Sequence, residues 1–197
     1  MNSEFDDNAA WAGFLNGNKK DFETIYNRYY SLLINYASKF GLDICVIEEA
    51  IQDLFVKLWN NKSTLGRPVA VKYYLLRALK NTINNKLSLS RKEVYIGDAT
   101  DLLAFDLPVD LKDGENEYHQ AQINKLMATL TDRQKEAIYL LYVEGLTYKE
   151  IAELLKINIG GTYKLVYRAI NGIRQQAKDL DISGKITPPA GDEMAIS

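Results

Sequence analysis

Two stretches of the chain carry side chains able to hold a nucleic acid. Lys72, Arg77, Lys80, Asn81, Asn84 and Lys86 form a basic, amide-rich set. Cationic groups of this kind meet phosphate oxygens, and carboxamides meet base edges. Further on, an apolar stripe of Ile159, Thr162, Val166, Ala169, Ile170 and Ile173 leaves Tyr163, Lys164, Tyr167, Arg168, Asn171 and Arg174 on the opposite side of a predicted helix. That second set can reach phosphates, base edges and thymine methyls. Gly160 and Gly161 occupy its first turn, where each costs roughly 1 kcal/mol against Ala but lets the backbone approach a phosphate at the positive helix end. By pattern alone, either set is equally a solvated helix face.

Other chemistry is poorly supplied. One cysteine, Cys45, and one histidine, His119, make neither an internal disulfide nor a Cys/His zinc cluster, and both read as structural. No GxxxxGK[ST], GxGxxG or GxSxG string occurs, so phosphate cradles and nucleophile elbows lack support. A nucleic-acid-processing enzyme would need clustered carboxylates for metal, and the dense acids fall in an irregular stretch instead. The reading is of a protein that is not an enzyme, with no cofactor and no metal. The longest unbroken apolar run is Ala137 to Val143, far short of the roughly 20 residues that cross a bilayer. Met1 to Asp7 carries acid where a signal peptide carries base, so the expected location is cytoplasmic.

The elements that must position these side chains follow from charge and periodicity. The formal net charge of -2 over 197 residues hides an uneven distribution. Residues 1–92 carry 13 Lys/Arg and 9 Asp/Glu, 93–117 carry 1 and 8, 118–180 carry 9 and 6, and 181–197 carry 1 and 3. Two mildly basic blocks thus flank an acidic strip that holds Gly97, Pro108 and Gly114 and lacks helical periodicity. The strip is expected to be a mobile interdomain linker, and the Pro/Gly/Ser-rich tail to be disordered.

In the first block, Phe22, Ile25, Tyr26, Tyr29, Leu33, Tyr36 and Phe40 recur at helical spacing before Gly41. Asp43 is placed to cap a second helix through Ile47, Ile51, Leu54, Phe55 and Leu58 to Trp59. A third is predicted from about Pro68 to Leu87, and its Tyr73 and Tyr74 suit either base stacking or the core. In the second block Ile123, Leu126, Met127 and Leu130 mark one helix. Thr131 with Gln134, and Thr147 with Glu150, have capping-box spacing. Helices over Thr147–Leu155 and Ile159–Gln176, joined by Lys156, Ile157 and Asn158, then have the proportions of a helix-turn-helix. The expected fold class is all-α, with two small helical domains over 1–92 and 118–180, a linker over 93–117 and a tail over 181–197.

These residues resemble a known family. The stretch LMATLTDRQKEAIYLLYVEGLTYKEIAELLKINIGGTYKLVYRAINGIR is similar to region 4 of sigma-70 initiation factors. FETIYNRYYSLLINYASKF, IEEAIQDLFVKLW and YYLLRALKNTINNKL together resemble region 2, in the same order and at the same distance. With only a linker between them, the chain resembles the two-domain extracytoplasmic-function (ECF) type. One departure is GGTYKL at the start of the recognition helix, where the family usually has a Gly-Thr-Val-like triplet followed by Lys and Arg.

The resemblance implies an alternative sigma factor that binds RNA polymerase core through its beta-prime and beta subunits, recognises and melts promoter DNA, and starts transcription. It implies that Glu49, Gln52 and Asp53 face the polymerase, with Val56 among them. Lys72, Arg77, Lys80, Asn81 and Asn84 would meet the downstream promoter element, and the loop Lys62–Val71 would capture a flipped base. Gly160, Tyr163, Lys164, Tyr167 and Arg168 would meet the upstream element. An anti-sigma factor is a further expected partner. The rival reading is a sigma-like mimic that sequesters an anti-sigma factor without touching DNA.

Overall fold

A computed structural model describes residues 6–90, 104–107 and 124–179. Every element among them is helical: α1 (Asp7–Leu15), α2 (Lys19–Ser38), α3 (Ile44–Asn61), α4 (Val71–Ser90), α5 (residues 124–128), α6 (Asp132–Ile138), a π-helical turn (Tyr139–Val143), α7 (Tyr148–Leu154) and α8 (Ile159–Asp179). The tail, His119 and all of the acidic strip except 104–107 lie outside the described residues.

Local chemistry starts most of these helices. The side chains of Asn18, Asp43, Thr131 and Thr147 each accept from a backbone N–H of the first turn, satisfying donors that the helix cannot. Both expected capping boxes form, Thr131 with Gln134 and Thr147 with Glu150. The helix from Asp132 ends where Gly145, at φ +65°, turns the chain back, a conformation open to glycine at little cost.

Helix α1 has no counterpart in the sequence expectations, because nine residues are too few for a 3.6-residue period to emerge. It buries Trp11 and Phe14 completely against α2 and α4. A Cβ on Gly13 would lie 1.8 Å from the Asp21 carboxylate, so α1 and α2 approach as closely as they do because residue 13 is glycine. Helix α4 begins at Val71 rather than near Pro68. The Gly66 carbonyl accepts the Trp11 indole N–H at 3.1 Å, and the chain from Leu65 stays non-helical until the Tyr74 N–H reaches the Ala70 carbonyl.

Helices α2, α3 and α4 pack around Leu33, Ile51, Leu54, Leu75, Leu79 and Ile83. Helices α6, α7 and α8 pack around Ile151, Leu154 and Val166, with Leu130, Ala169 and Ile173 forming a satellite cluster. The two groups are not separate. One apolar cluster runs from Ala10 through Leu79 to Tyr139, Leu140 and Val166, and α4 lies against α7. The acidic strip contributes to it: Phe105 is 1% exposed and sits among Tyr36, Phe40 and Tyr139, with ring centroids 5.1 to 6.3 Å away. The next residue, Asp106, donates its N–H to the Lys39 carbonyl at 2.7 Å. Within the expected linker, residues 104–107 are the described part, and there a buried aromatic side chain packs beside the C-terminal end of α2.

Candidate nucleic-acid interface

The cations expected to meet DNA on α4 are engaged by three glutamates of the second helical group, each of which also accepts from a tyrosine. Lys80 Nζ lies 2.8 and 2.9 Å from the two Glu136 oxygens, and the Tyr36 hydroxyl donates to Glu136 Oε1 at 2.6 Å. Lys72 Nζ pairs with Glu144 Oε2 at 2.9 Å and donates to the Glu144 carbonyl at 2.6 Å, while the Tyr139 hydroxyl donates to Glu144 Oε1 at 2.8 Å. Arg77 meets Glu153 Oε2 at 3.1 Å, and the Tyr73 hydroxyl donates to the same oxygen at 2.6 Å.

Burial grades these three sites. The Lys80–Glu136 side chains are 8% and 6% exposed, Lys72–Glu144 33% and 7%, and Arg77–Glu153 50% and 43%. The tyrosines respond accordingly. Burial, then the Glu136 charge, raises the Tyr36 hydroxyl well above its usual range. Burial and the hydrogen bond to Glu144 raise Tyr139, and burial with the hydrogen bond to Glu153 pushes Tyr73 up to about 12. The π-helical turn places Glu144: its N–H bonds to the Tyr139 carbonyl five residues back at 3.1 Å. Such wide turns recur where a side chain has to be re-aimed.

The remaining α4 residues divide. Asn81 is exposed. Asn84 is 6% exposed, and neither its Oδ1 nor its Nδ2 has a hydrogen-bond partner. Tyr74 belongs to the core, edge-on to Trp11 at 5.2 Å, and Tyr73 is held by Glu153. In the loop before α4, Val69 is fully exposed and Arg67 is exposed.

The helix-turn-helix is present. Lys156 takes φ 53° in the turn, and Asn158 Oδ1 accepts from the Gly161 N–H at 2.6 Å at the start of α8. A Cβ on Gly161 would come within 3.2 Å of that oxygen, so glycine here accommodates the cap. One N–H of the expected phosphate anchor is thereby occupied, while Gly160 is exposed. Thr162, Val166, Ala169 and Ile173 point inward as expected. Ile159 does not, being 48% exposed ahead of the first buried turn. Lys164, Tyr167 and Arg168 are exposed, and Tyr163 stacks on Tyr148 of α7 at 4.2 Å.

On α3, Glu49 and Asp53 both pair with Lys86 of α4, at 2.9 and 2.7 Å. Gln52 instead borders an open groove between α2 and α3 lined by Phe22, Tyr26, Phe55, Val56 and Trp59. Val56 is 58% exposed and lines this groove together with the rings of Phe22, Tyr26, Phe55 and Trp59. The sequence expectations named neither Trp59 as a surface residue nor the three glutamates. The signal for the groove was present as Val56 and Trp59, three apart beside Gln52 and Asn60. The glutamates had no comparable signal.

Comparison with known proteins agrees with this architecture. Residues 25–93 match the family model described as Sigma-70 region 2, and residues 120–171 match Sigma-70, region 4. The chain is 26% identical over 193 residues to the ECF RNA polymerase sigma-E factor of Haemophilus influenzae, covering 91% of this chain and all of that protein. It is 27% identical over 165 residues to the ECF sigma factor SigK of a Mycobacterium species, covering 78% and 81%. Among solved structures, CnrH in complex with the cytosolic domain of CnrY is similar at TM-score 0.56 and 19% identity, covering 90% of this chain and 99% of that one. The sigma factor RpoE of Bartonella quintana, solved with the anti-sigma factor NepR, is similar at TM-score 0.54 and 20% identity, covering 81% and 98%. The two family matches fall in order on the two helical groups, the second of which carries the helix-turn-helix, and together they define the class as a transcription initiation factor. The chain belongs to the sigma-70 family, with the organisation of its extracytoplasmic-function type. Its role is therefore in promoter recognition and transcription initiation, and members of this family are regulatory factors, not enzymes. Among the described residues, no helix is long and apolar enough to cross a membrane.

Proposed function

We propose that the chain docks on RNA polymerase core through the exposed face of α3 and the groove beside it, and then reads a promoter with α4 and α8. The carrying observation is the groove: Val56 stands exposed between Gln52 and Trp59 on a helix whose other face is fully used by the core. An apolar patch rimmed by Gln52, Glu49 and Asp53 fits a partner helix with an apolar stripe and basic flanks. Glu49 and Asp53 would exchange part of their pairing with Lys86 for basic side chains of the partner.

On the DNA side, the loop Lys62–Val71, Asn81 and the cations Lys72, Arg77 and Lys80 are proposed for the opened downstream element, with Asn84 bordering them. Gly160, Tyr163, Lys164, Tyr167 and Arg168 are proposed for the upstream element. Phosphate contacts set affinity and salt dependence, whereas base-edge contacts set preference. Val56→Asp, together with Gln52→Ala, tests the docking face. Helicity should be unchanged because both side chains are exposed. Core affinity in a pull-down titration should fall by at least tenfold, the loss of about 1.4 kcal/mol expected from one central interface residue. An unchanged affinity rejects this face.

A further inference from the structure

We propose that Trp11 of α1 is a positioning residue for the loop Lys62–Val71, so that one hydrogen bond from outside the matched region 2 sets how sharply the loop selects its base. The inference rests on the reading of that loop as the part that captures a flipped base. Residue 11 lies ahead of the region 2 match, which begins at residue 25. Its side chain is 1% exposed and stands edge-on to Phe14 and to Tyr74 of the first turn of α4, each at 5.2 Å. The ring is thus fixed by α1 on one side and by α4 on the other. Its single donor, the indole N–H, is aimed at the Gly66 carbonyl at 3.1 Å.

The loop needs such an anchor. The Thr64 N–H reaches back to the Asn61 carbonyl at 2.9 Å, and the Ala70 carbonyl accepts from the Tyr74 N–H at 3.1 Å. Between Leu65 and Val69, among the described residues, the Trp11 bond is the hydrogen bond that ties the backbone to the body of the protein. It falls on Gly66, the residue type with the widest backbone freedom, where a Cβ would meet nothing within 4 Å. Side-chain packing does not hold position 66, so the bond has to. Leu65 packs partly on the core, whereas Arg67 and Val69, beyond the tie, are exposed, and Pro68 between them has a fixed φ. Holding the base of a short stretch that is stiff at its centre keeps the exposed residues in one arrangement. A site that distinguishes bases depends on such pre-organisation, because a loop free to adapt fits several of them.

Polymerase assembled from core and the full chain, offered promoters randomised across the downstream element, tests this. Trp11→Phe keeps an aromatic ring and removes the donor. The ratio of the preferred base to the next at the captured position should fall about fivefold, the factor that one neutral hydrogen bond supplies, with upstream preference and core affinity at parental values. Benzothienylalanine at position 11, with sulfur in place of the N–H at nearly the same volume, should do the same, and gives the result if the Phe variant does not fold. Leu33→Val, a loss of volume in the core of the same helical group, should leave the ratio unchanged. In the free chain, the indole N–H of Trp11 should exchange with solvent more slowly than that of Trp59, whose ring lines the open groove. A parental ratio in the position-11 variants, an equal fall in Leu33→Val, or equal exchange of the two indoles overturns the positioning. Replacing residues 62–71 by the loop of another family member separates the two readings. If that swap shifts the preferred base while the position-11 variants do not, the loop captures the base and only the role of Trp11 falls. If the swap shifts nothing, both fall.

Discussion

Lys80 of α4 and Glu136 of α6, 56 positions apart, form a two-point ion pair in the interior, and Tyr36 of α2 donates to the same carboxylate. Three helices from two helical groups thus meet on one carboxylate. Removing one partner of such a pair strands the other charge. Glu136→Gln should therefore cost about 3–5 kcal/mol in urea unfolding, while Lys80→Met combined with Glu136→Leu should lie much closer to the parent. Equal losses for the single and double variants would show that volume, not charge, governs the site.

Phe105 gives a second stability prediction. Its side chain is buried against three rings, so Phe105→Ala should destabilise by about 3–5 kcal/mol, as large-to-small changes in a core do. Amides near Lys39, whose carbonyl holds the next residue, should lose hydrogen-exchange protection first. Unfolding at the parental urea midpoint would place Phe105 outside the folded core.

The helix-turn-helix relies on two side-chain caps. Thr147 accepts from the Glu150 N–H at 3.3 Å, and Asn158 from the Gly161 N–H at 2.6 Å. Each change to Ala should cost about 1 kcal/mol, read as a fall in thermal midpoint. Asn158→Ala should also reduce affinity for double-stranded promoter DNA within the assembled polymerase, because it loosens the first turn of α8. A loss of stability with wild-type DNA affinity would separate the cap from recognition.

Alkaline pH should open the molecule. Tyr29, Tyr36 and Tyr139 are raised by burial and by the carboxylates they donate to, and Tyr73 is raised to about 12. The unfolded value is about 10, so the native state keeps these protons longer than the unfolded chain does. Their contribution is fully present below about pH 10 and is lost as pH rises through the folded values. Phenolate absorbance at about pH 11 should count fewer ionised tyrosines in the native protein than in the urea-unfolded one, and the urea midpoint should fall from about pH 10 upward. Thirteen tyrosines ionising together near 10 in the native protein would contradict the four carboxylate–tyrosine pairs formed by Tyr29, Tyr36, Tyr73 and Tyr139.

What the sequence determined by itself is local. Asp43, Thr131, Thr147 and Asn158 cap where they were expected to, because a cap is decided within three or four residues of chain. The inward stripe of α8 and the all-helical class follow from the same short range, and the motifs that mark the family are contiguous strings. Tertiary structure decided the state of the charges. Nothing within one helical turn of Lys80 shows that Glu136 will neutralise it, although Leu76 and Ile83 share its buried side of α4. Nothing near Phe105 shows that Tyr36, Phe40 and Tyr139 will enclose it. Both depend on chain segments brought together by burial of apolar surface, which is non-directional and proportional to area. It selects which faces meet without leaving a periodic trace at the polar residues that those faces carry.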